Sequence, residues 1–238
     1  MSQTYRLNNS GLINRDKKIS FKFNGKKYFG YEGDTLASAL IANGVHLIGR
    51  SFKYHRPRGI ISAGCEEPNG IVQLELNEFT EPNRRATEVI LYDGLIAKSQ
   101  NNWPNLKFDI GSINSFLAPF YSTGFYYKTF IYPRFAWKHI FEPLIRASAG
   151  LGHAPKYADS DRYEHFYCHV DVLIVGGGVS GLMAAHQVGL TGANTLVLEQ
   201  SPYLGGRAVV DDHQFNGGSF QSWKKKIISG IQLNSDES

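Results

Sequence analysis

Two cysteines in 238 residues, Cys65 and Cys168, are too few for a disulfide framework, and they form no C-x-x-C pair or metal-ligand spacing. No stretch approaches the run of apolar residues needed to span a bilayer. The opening residues, Met1-Ser-Gln-Thr-Tyr-Arg6, lack the apolar region of a secretory signal. These absences predict a cytoplasmic chain with no membrane partner. Neither sign of charge dominates, the formal net charge being +4, and the eight histidines are scattered without a metal-spaced pair. Positive charge gathers in Arg50-Ser-Phe-Lys-Tyr-His-Arg-Pro-Arg58, interleaved with aromatics. A single basic loop is not a stripe, so no nucleic-acid partner is expected. The loop reads as solvated, or as docked on an acidic neighbour.

What is present is a glycine turn. The apolar run Val170-Asp-Val-Leu-Ile-Val175 leads directly into Gly176-Gly-Gly-Val-Ser-Gly181, and a helix is predicted from about Val179 to Leu190. In a G-x-G-x-x-G turn, Gly176 permits the tight turn and Gly178 lets backbone approach a pyrophosphate. Gly181 allows close packing of helix on strand. The helix N-terminus then offers N–H groups and a positive dipole end to the phosphates. A second apolar run, Thr195-Leu-Val-Leu198, ends at Glu199, 18 positions after Gly181 (199 − 181). A carboxylate there can accept hydrogen bonds from a ribose diol, and it disfavours NADP, whose extra phosphate it would repel.

Gly205-Gly206-Arg207 follows that acid closely. An acid and then a Gly-Gly pair resembles the FAD- and NAD-binding domains of two-dinucleotide-fold flavoproteins, so both NAD and FAD stand as ligands of this site. Arg207 either contacts a phosphate or caps a surface loop. The unit is also unfinished, since two strands and one crossover helix fall short of the three parallel strands of a mononucleotide half. The expectation is a fragment of a longer polypeptide.

The first hundred residues predict a separate small domain. Ile19-Ser-Phe-Lys-Phe23 alternates, Asn24-Gly25 signals a hairpin turn, and Lys26–Tyr31 continues as a strand. Asp34 is expected to cap a helix over Thr35–Ala42 that Asn43-Gly44 ends. Further strands are predicted at Ile71–Leu76, Glu88–Leu91 and Leu95–Ala97. Hairpin, helix, then strands is the β-grasp order of ubiquitin-like and plant-type ferredoxin domains. A ferredoxin cluster uses four thiolates, and the loop after the helix holds only Cys65. No iron–sulfur cluster and no metal site are therefore expected, with Cys65 a partly buried small residue.

Residues 101–167 join the two parts and are rich in large aromatics, among them Trp103, Phe116, Phe120, Phe125, Tyr126, Tyr127 and Phe135, broken by Pro104, Pro119, Pro133 and Pro143. Such a stretch is wrong for a flexible linker. It predicts irregular segments wrapped over this chain's own domains or buried at a subunit interface, where aromatics cover much area. The organisation expected is a β-grasp, ferredoxin-like domain over residues 1–100, an aromatic-rich connector over 101–167, and over 168–238 the first part of a Rossmann-type dinucleotide-binding domain. The fold class is thus α+β followed by α/β.

Several of these segments belong together. Thr35–Leu40, Gly49–Gly59, Ala63–Pro68, Leu91–Gly94, Gly124–Phe130, Glu142–Arg146 and the glycine turn closely resemble the N-terminal part of the alpha subunits of heterotetrameric sarcosine oxidases. The resemblance runs from about Leu7 to about Ser222. It implies a ferredoxin-like domain without cluster cysteines, then a domain that holds NAD, with Gly176, Gly178, Gly181 and Glu199 in contact with it and Gly205 and Gly206 near its pyrophosphate. It implies beta, gamma and delta subunits as partners, with FAD and covalent FMN associated with beta. The implied oxidoreductase activity is oxidative demethylation of sarcosine to glycine, formaldehyde and hydrogen peroxide, or transfer of the one-carbon unit to tetrahydrofolate. No catalytic residue of that chemistry falls in this chain, which alone is expected to be inactive. A related amine or imino-acid dehydrogenase subunit, and a non-catalytic interaction module, remain as alternatives.

Overall fold

The computed structural model describes residues 3–9, 11–121, 123–124, 128, 130–211, 214–215 and 217–231. Phe125, Tyr126, Tyr127 and the polar end at 234–238 lie outside them. The chain divides into two compact units, Met1–Asp161 and Arg162–Ser238.

In the first unit, strand β1 (Asn14–Phe23) turns at Asn24-Gly25 into β2 (Lys26–Glu32). Both turn residues have positive φ, 49° and 77°. That is the left-handed pair a two-residue hairpin needs to match strand twist, which explains Asn-Gly at this point. Alternation along β1 buries Ile19, Phe21 and Phe23 on one face. Helix α1 (Leu36–Ala42) lies on that face with Leu36, Ala39 and Leu40 fully buried. Three more strands complete the sheet: β3 (Ile71–Leu74), β4 (Glu81–Arg85) and β5 (Ile96–Ser99). The order is β2-β1-β5-β3-β4, with β1 and β5 parallel at the centre and the other pairs antiparallel. This is the β-grasp arrangement.

Three local expectations change. The helix cap is Thr35 rather than Asp34: the Thr35 hydroxyl accepts from the Ser38 N–H, and the Ser38 hydroxyl accepts from the Thr35 N–H, a reciprocal capping box. Asp34 is instead buried, paired with Arg6 at 2.7 Å and accepting from the Tyr31 N–H and the Ser38 hydroxyl. Glu88–Leu91 is not a ladder strand. Its backbone pairs with the helix start, the Leu36 N–H donating to Val89 O and the Leu91 N–H to Asp34 O, each at 2.8 Å. β4, with one proline and four polar residues, carries no apolar alternation by which it could be read in advance. Loss of the capping hydroxyl in Thr35→Ala is expected to cost about 1 kcal/mol of stability, read by urea unfolding of the chain.

The connector is irregular. It runs through 3-10 turns at Ile110–Ser115 and Ala118–Phe120, then through helical stretches ending at Glu142–Ser148. Much of its aromatic surface is not packed on this chain: Trp103, Phe108, Phe116, Phe120, Tyr132 and Phe135 are all exposed.

The second unit holds a two-stranded parallel sheet of β6 (Val172–Val175) and β7 (Thr195–Leu198), joined by α2 (Val179–Gly189), with α3 (Phe220–Gly230) after them. Leu182 and Ala185 of α2 are buried, as are Phe220 and Ile227 of α3. The opposite face of the sheet shows Leu173, Val175 and Leu198 to solvent. A third parallel strand does not occur among the described residues. Among the same residues no helix is long and apolar enough to cross a membrane.

Candidate functional site

The strand β6 delivers the chain into a turn whose shape only glycine permits. Gly176 has φ +104°, a region closed to side-chain-bearing residues. At Gly181, one helical turn on, an added Cβ would lie far inside contact with the Gly176 carbonyl oxygen. Gly178 is different: a Cβ built there meets nothing within 4 Å. Two glycines therefore hold the turn together, and one leaves space beside it.

Gly178 is also the N-cap of α2, in extended conformation and with no side chain capping the helix. The first turn of α2 carries no acidic residue, so its leading N–H groups and positive dipole end stay available to an anion. Glu199, at the end of β7, reaches back to this turn. Its carboxylate accepts from the Ser201 N–H at 2.8 Å and from the Gly177 N–H at 2.6 Å. These backbone donors hold the carboxyl below the usual carboxylate range, against a smaller opposing effect of burial. The acid expected at a ribose thus also locks β7 to the glycine turn.

Gly205 and Gly206 close over the same place. The Gly205 N–H donates to Gly177 O at 2.8 Å, Gly178 and Gly205 form a bridge, and a Cβ on Gly206 would stand 3.2 Å from the Gly178 Cα. Gly176, Gly178, Gly181, Glu199, Gly205 and Gly206 are therefore gathered in one small region. Arg207 points elsewhere in its observed pairing, its Nε donating to Asp211 at 3.1 Å on an exposed helical turn. Sequence reasoning missed Lys224, whose Nζ donates to Leu204 O at 3.2 Å and pins the loop ahead of Gly205. Its only signal was membership of the basic run Lys224–Lys226.

The first unit carries a second polar centre. Asp109 is buried, with its Oδ2 2.6 Å from His55 Nδ1 and 3.8 Å from Arg50 Nε. Arg50 also donates to Leu106 O and His55 O. Part of the basic loop is therefore turned inward. In the loop after α1, Glu67 is fully buried and accepts four backbone N–H groups, those of Ile61, Ser62, Asn69 and Gly70. Cys65 in that loop is exposed, against the expectation of partial burial, because the loop folds around the Glu67 carboxylate and leaves the thiol outside. Cys168 is exposed too. Among the described residues no group of three or more His, Cys, Asp or Glu side chains is placed to hold a metal.

Residues 16–102 match the family described as 2Fe-2S iron-sulfur cluster binding domain, and residues 171–234 match FAD dependent oxidoreductase. The chain is 50% identical over 214 residues to a sarcosine oxidase subunit alpha of Rhizobium meliloti (strain 1021), covering 90% of this chain and 22% of that protein. It is 32% identical over 200 residues to a sarcosine oxidase subunit alpha of Corynebacterium sp. (strain U-96), covering 82% of this chain and 15% of that one. The chain thus spans between 15% and 22% of the length of these curated relatives. Among solved structures it is similar to an L-proline dehydrogenase from P. horikoshii, with a TM-score of 0.51, 18% identity, and coverage of 93% of this chain and 33% of that one. Likeness at that identity speaks for the fold.

Two expectations are corrected by these matches. The ligand of the second unit is not supported as NAD, because the matched family is FAD-dependent. NAD and FAD share an adenosine diphosphate half, and the glycine turn and ribose acid read only that half; the part that differs lies beyond the motif. The absence of an iron–sulfur cluster is overturned by the match over residues 16–102. A count of thiols tests the ligands alone and says nothing of the fold that the matched residues share. Of the four thiolates such a cluster uses, the matched segment itself supplies Cys65. That is not a full ligand set.

Proposed function

We propose that this chain is the leading part of the alpha subunit of a sarcosine-oxidising complex and that its second unit holds FAD. The observation that carries the cofactor reading is the glycine turn, where Gly178 leaves open space at an uncapped helix N-terminus and Glu199 stands beside it. The reading of the reaction is supported by the 50% identity across nine-tenths of the chain.

In this reading the unit is the start of a Rossmann-type domain, following a ferredoxin-like domain over residues 1–100 and the connector over 101–167. The N–H groups at the start of α2 face the pyrophosphate, and Gly178 gives it room. Glu199 would accept from the adenosine ribose at Oε2, the oxygen that also takes the Gly177 N–H, while Oε1 keeps the loop at Ser201. Gly205 and Gly206 keep side chains away from the phosphates. Bound FAD supplies two-electron oxidation. In the complex, sarcosine, dioxygen and water become glycine, formaldehyde and hydrogen peroxide: the methyl carbon is oxidised, dioxygen is reduced, and water provides the formaldehyde oxygen. The further subunits complete the assembly, and two free, exposed thiols suit a reducing cytoplasm.

Titration of the chain with FAD, followed by flavin fluorescence, tests the site. Gly178→Val is expected to abolish binding while the circular dichroism spectrum stays unchanged, since the new side chain occupies ligand space and touches no protein atom within 4 Å at its Cβ. Glu199→Ala is expected to weaken binding by about tenfold, a charge-assisted hydrogen bond's worth. Unchanged FAD affinity in Gly178→Val would remove the phosphates from this turn. In the assembled complex, turnover of sarcosine compared with L-proline and other N-alkylated amino acids checks the substrate; preference for L-proline would favour an imino-acid dehydrogenase.

A further inference from the structure

We infer that the basic loop and the segment 103–120 of the first unit form one docking surface for an acidic protein subunit that brings apolar side chains. The inference rests on the proposed complex. The two segments are tied together from beneath by the buried Asp109, which meets His55 and Arg50. Above that knot, the Ser115 hydroxyl donates to Tyr54 O at 2.7 Å, and the Tyr54 and Tyr121 rings stack at 6.3 Å. Lys53 Nζ lies 5.0 Å from the Tyr54 ring centre and 6.0 Å from that of Tyr121. The two stretches, distant in sequence, are thus one piece of surface.

Its outer side is apolar in a regular way. Ile110, Ile113 and Phe116 are exposed and recur every three residues along the 3-10 turn Ile110–Ser115. A 3-10 helix has three residues per turn, so these side chains line one edge. Phe116 is 83% exposed, and Phe120, at the next turn, 80%. Phe52 and Phe108 add to the display from the two flanking loops. Large aromatics exposed in company mark an interaction site rather than ordinary surface. Tyr, Trp, Phe and Arg are also the residues enriched where subunits meet.

The charge on this surface has one sign. Arg56, Arg58 and Lys107 are exposed, and the single carboxylate of residues 50–58 and 103–120 is the buried Asp109. A neutral or basic partner would leave these cations facing like charge or desolvated without partners, which costs association free energy. An acidic partner surface with apolar side chains satisfies both features.

The test is co-expression of the full chain with the other subunits of the complex, with the assembly mass and the subunit affinity measured at rising salt. Arg56→Glu/Lys107→Glu and Phe116→Ser/Phe120→Ser are each expected to weaken association by about tenfold or more, as for central interface residues. Salt should weaken the unaltered pair and have less effect on the charge-reversed one. Because the substituted side chains are exposed, the thermal midpoint and FAD binding of the chain should not move. Unchanged affinity in both variants, with FAD still bound, overturns the surface and leaves the proposed function standing. No association of the unaltered chain overturns both. Variant-sensitive binding of a single-stranded oligonucleotide, or of a second copy of this chain, in place of the subunits overturns the assigned occupant. A fall in thermal midpoint equal to the loss of association would make these side chains structural and overturn the docking role.

Discussion

Gly181→Ala is expected to destroy the second unit's turn, with FAD binding falling below detection and the unit becoming protease-sensitive. The new methyl carbon would be driven into the Gly176 carbonyl oxygen, with Ile174 Cγ2 a further 3.5 Å neighbour. The clashing atom is backbone, and no flexible side chain can absorb the strain. Gly176 itself sits at φ +104°, so the peptide that would have to rotate is already confined to a shape few residues allow. A cost of about 3 kcal/mol or more is expected, the upper end of overpacking effects. Gly178→Ala makes the contrast, since its Cβ meets nothing within 4 Å. The two substitutions should both impair FAD binding, yet only Gly181→Ala should alter limited proteolysis of the chain without ligand. Normal FAD affinity in Gly181→Ala would show that helix and turn can separate at no cost to the site.

Glu67→Gln is expected to lower the stability of the first unit by about 2 kcal/mol. A donor left unpaired costs about 1–3 kcal/mol when buried and less when partly exposed, as three of the four donors to Glu67 are. Each carboxylate oxygen takes two N–H groups, Asn69 and Gly70 on one side, Ile61 and Ser62 on the other. An amide presents an NH2 to one of these pairs and leaves both without an acceptor. Burial alone would raise the Glu67 pKa, but the four donors outweigh it and hold the carboxyl below its ordinary value. The sign of the pH dependence follows. A carboxyl with a lowered pKa in the folded state contributes stability that is fully present above its unfolded value, about 4.3. That contribution disappears as pH falls through the folded value. Urea unfolding of the chain between pH 7 and pH 3 should show a steeper acid loss for the unaltered protein than for Glu67→Gln. Parallel curves would mean the loop does not depend on this carboxylate.

The parts legible in the sequence were those where a local rule and the tertiary fold agree. Asn24-Gly25 needs left-handed backbone wherever it falls, and the alternation of Ile19, Phe21 and Phe23 names the buried face without reference to partners. The glycine turn is equally self-contained, since the constraints on Gly176 and Gly181 come from atoms a few residues away. Other features are set by distant neighbours. Asp34 has the composition of a cap, but Arg6, 28 positions earlier, draws it into an ion pair, and Thr35 caps instead. β4 is a strand because β3 offers it an edge, and its sequence Glu-Pro-Asn-Arg-Arg has no periodicity to betray that. Glu67 stands next to Glu66 in the sequence, and nothing local distinguishes the two. Only the folded loop shows four N–H groups converging on it. The second half of the dinucleotide was illegible for a chemical reason, since the motif recognises what NAD and FAD have in common.

The parallel pairing of β1 with β5 has a consequence for synthesis. Lys22 pairs with Ile96, 74 residues later (96 − 22). The centre of the first unit's sheet therefore cannot close until the chain has left the ribosome through Ile96–Ser99, the last strand of that sheet. At ordinary elongation rates that interval lasts about 4–15 s. The β1–β2 hairpin can form within microseconds of emerging, but it then waits with Phe21 and Phe23 uncovered on the face that α1 and β5 later complete. A nascent chain in that state displays an aromatic strand with a free edge, the kind of surface that chaperones hold and that neighbouring nascent chains pair with.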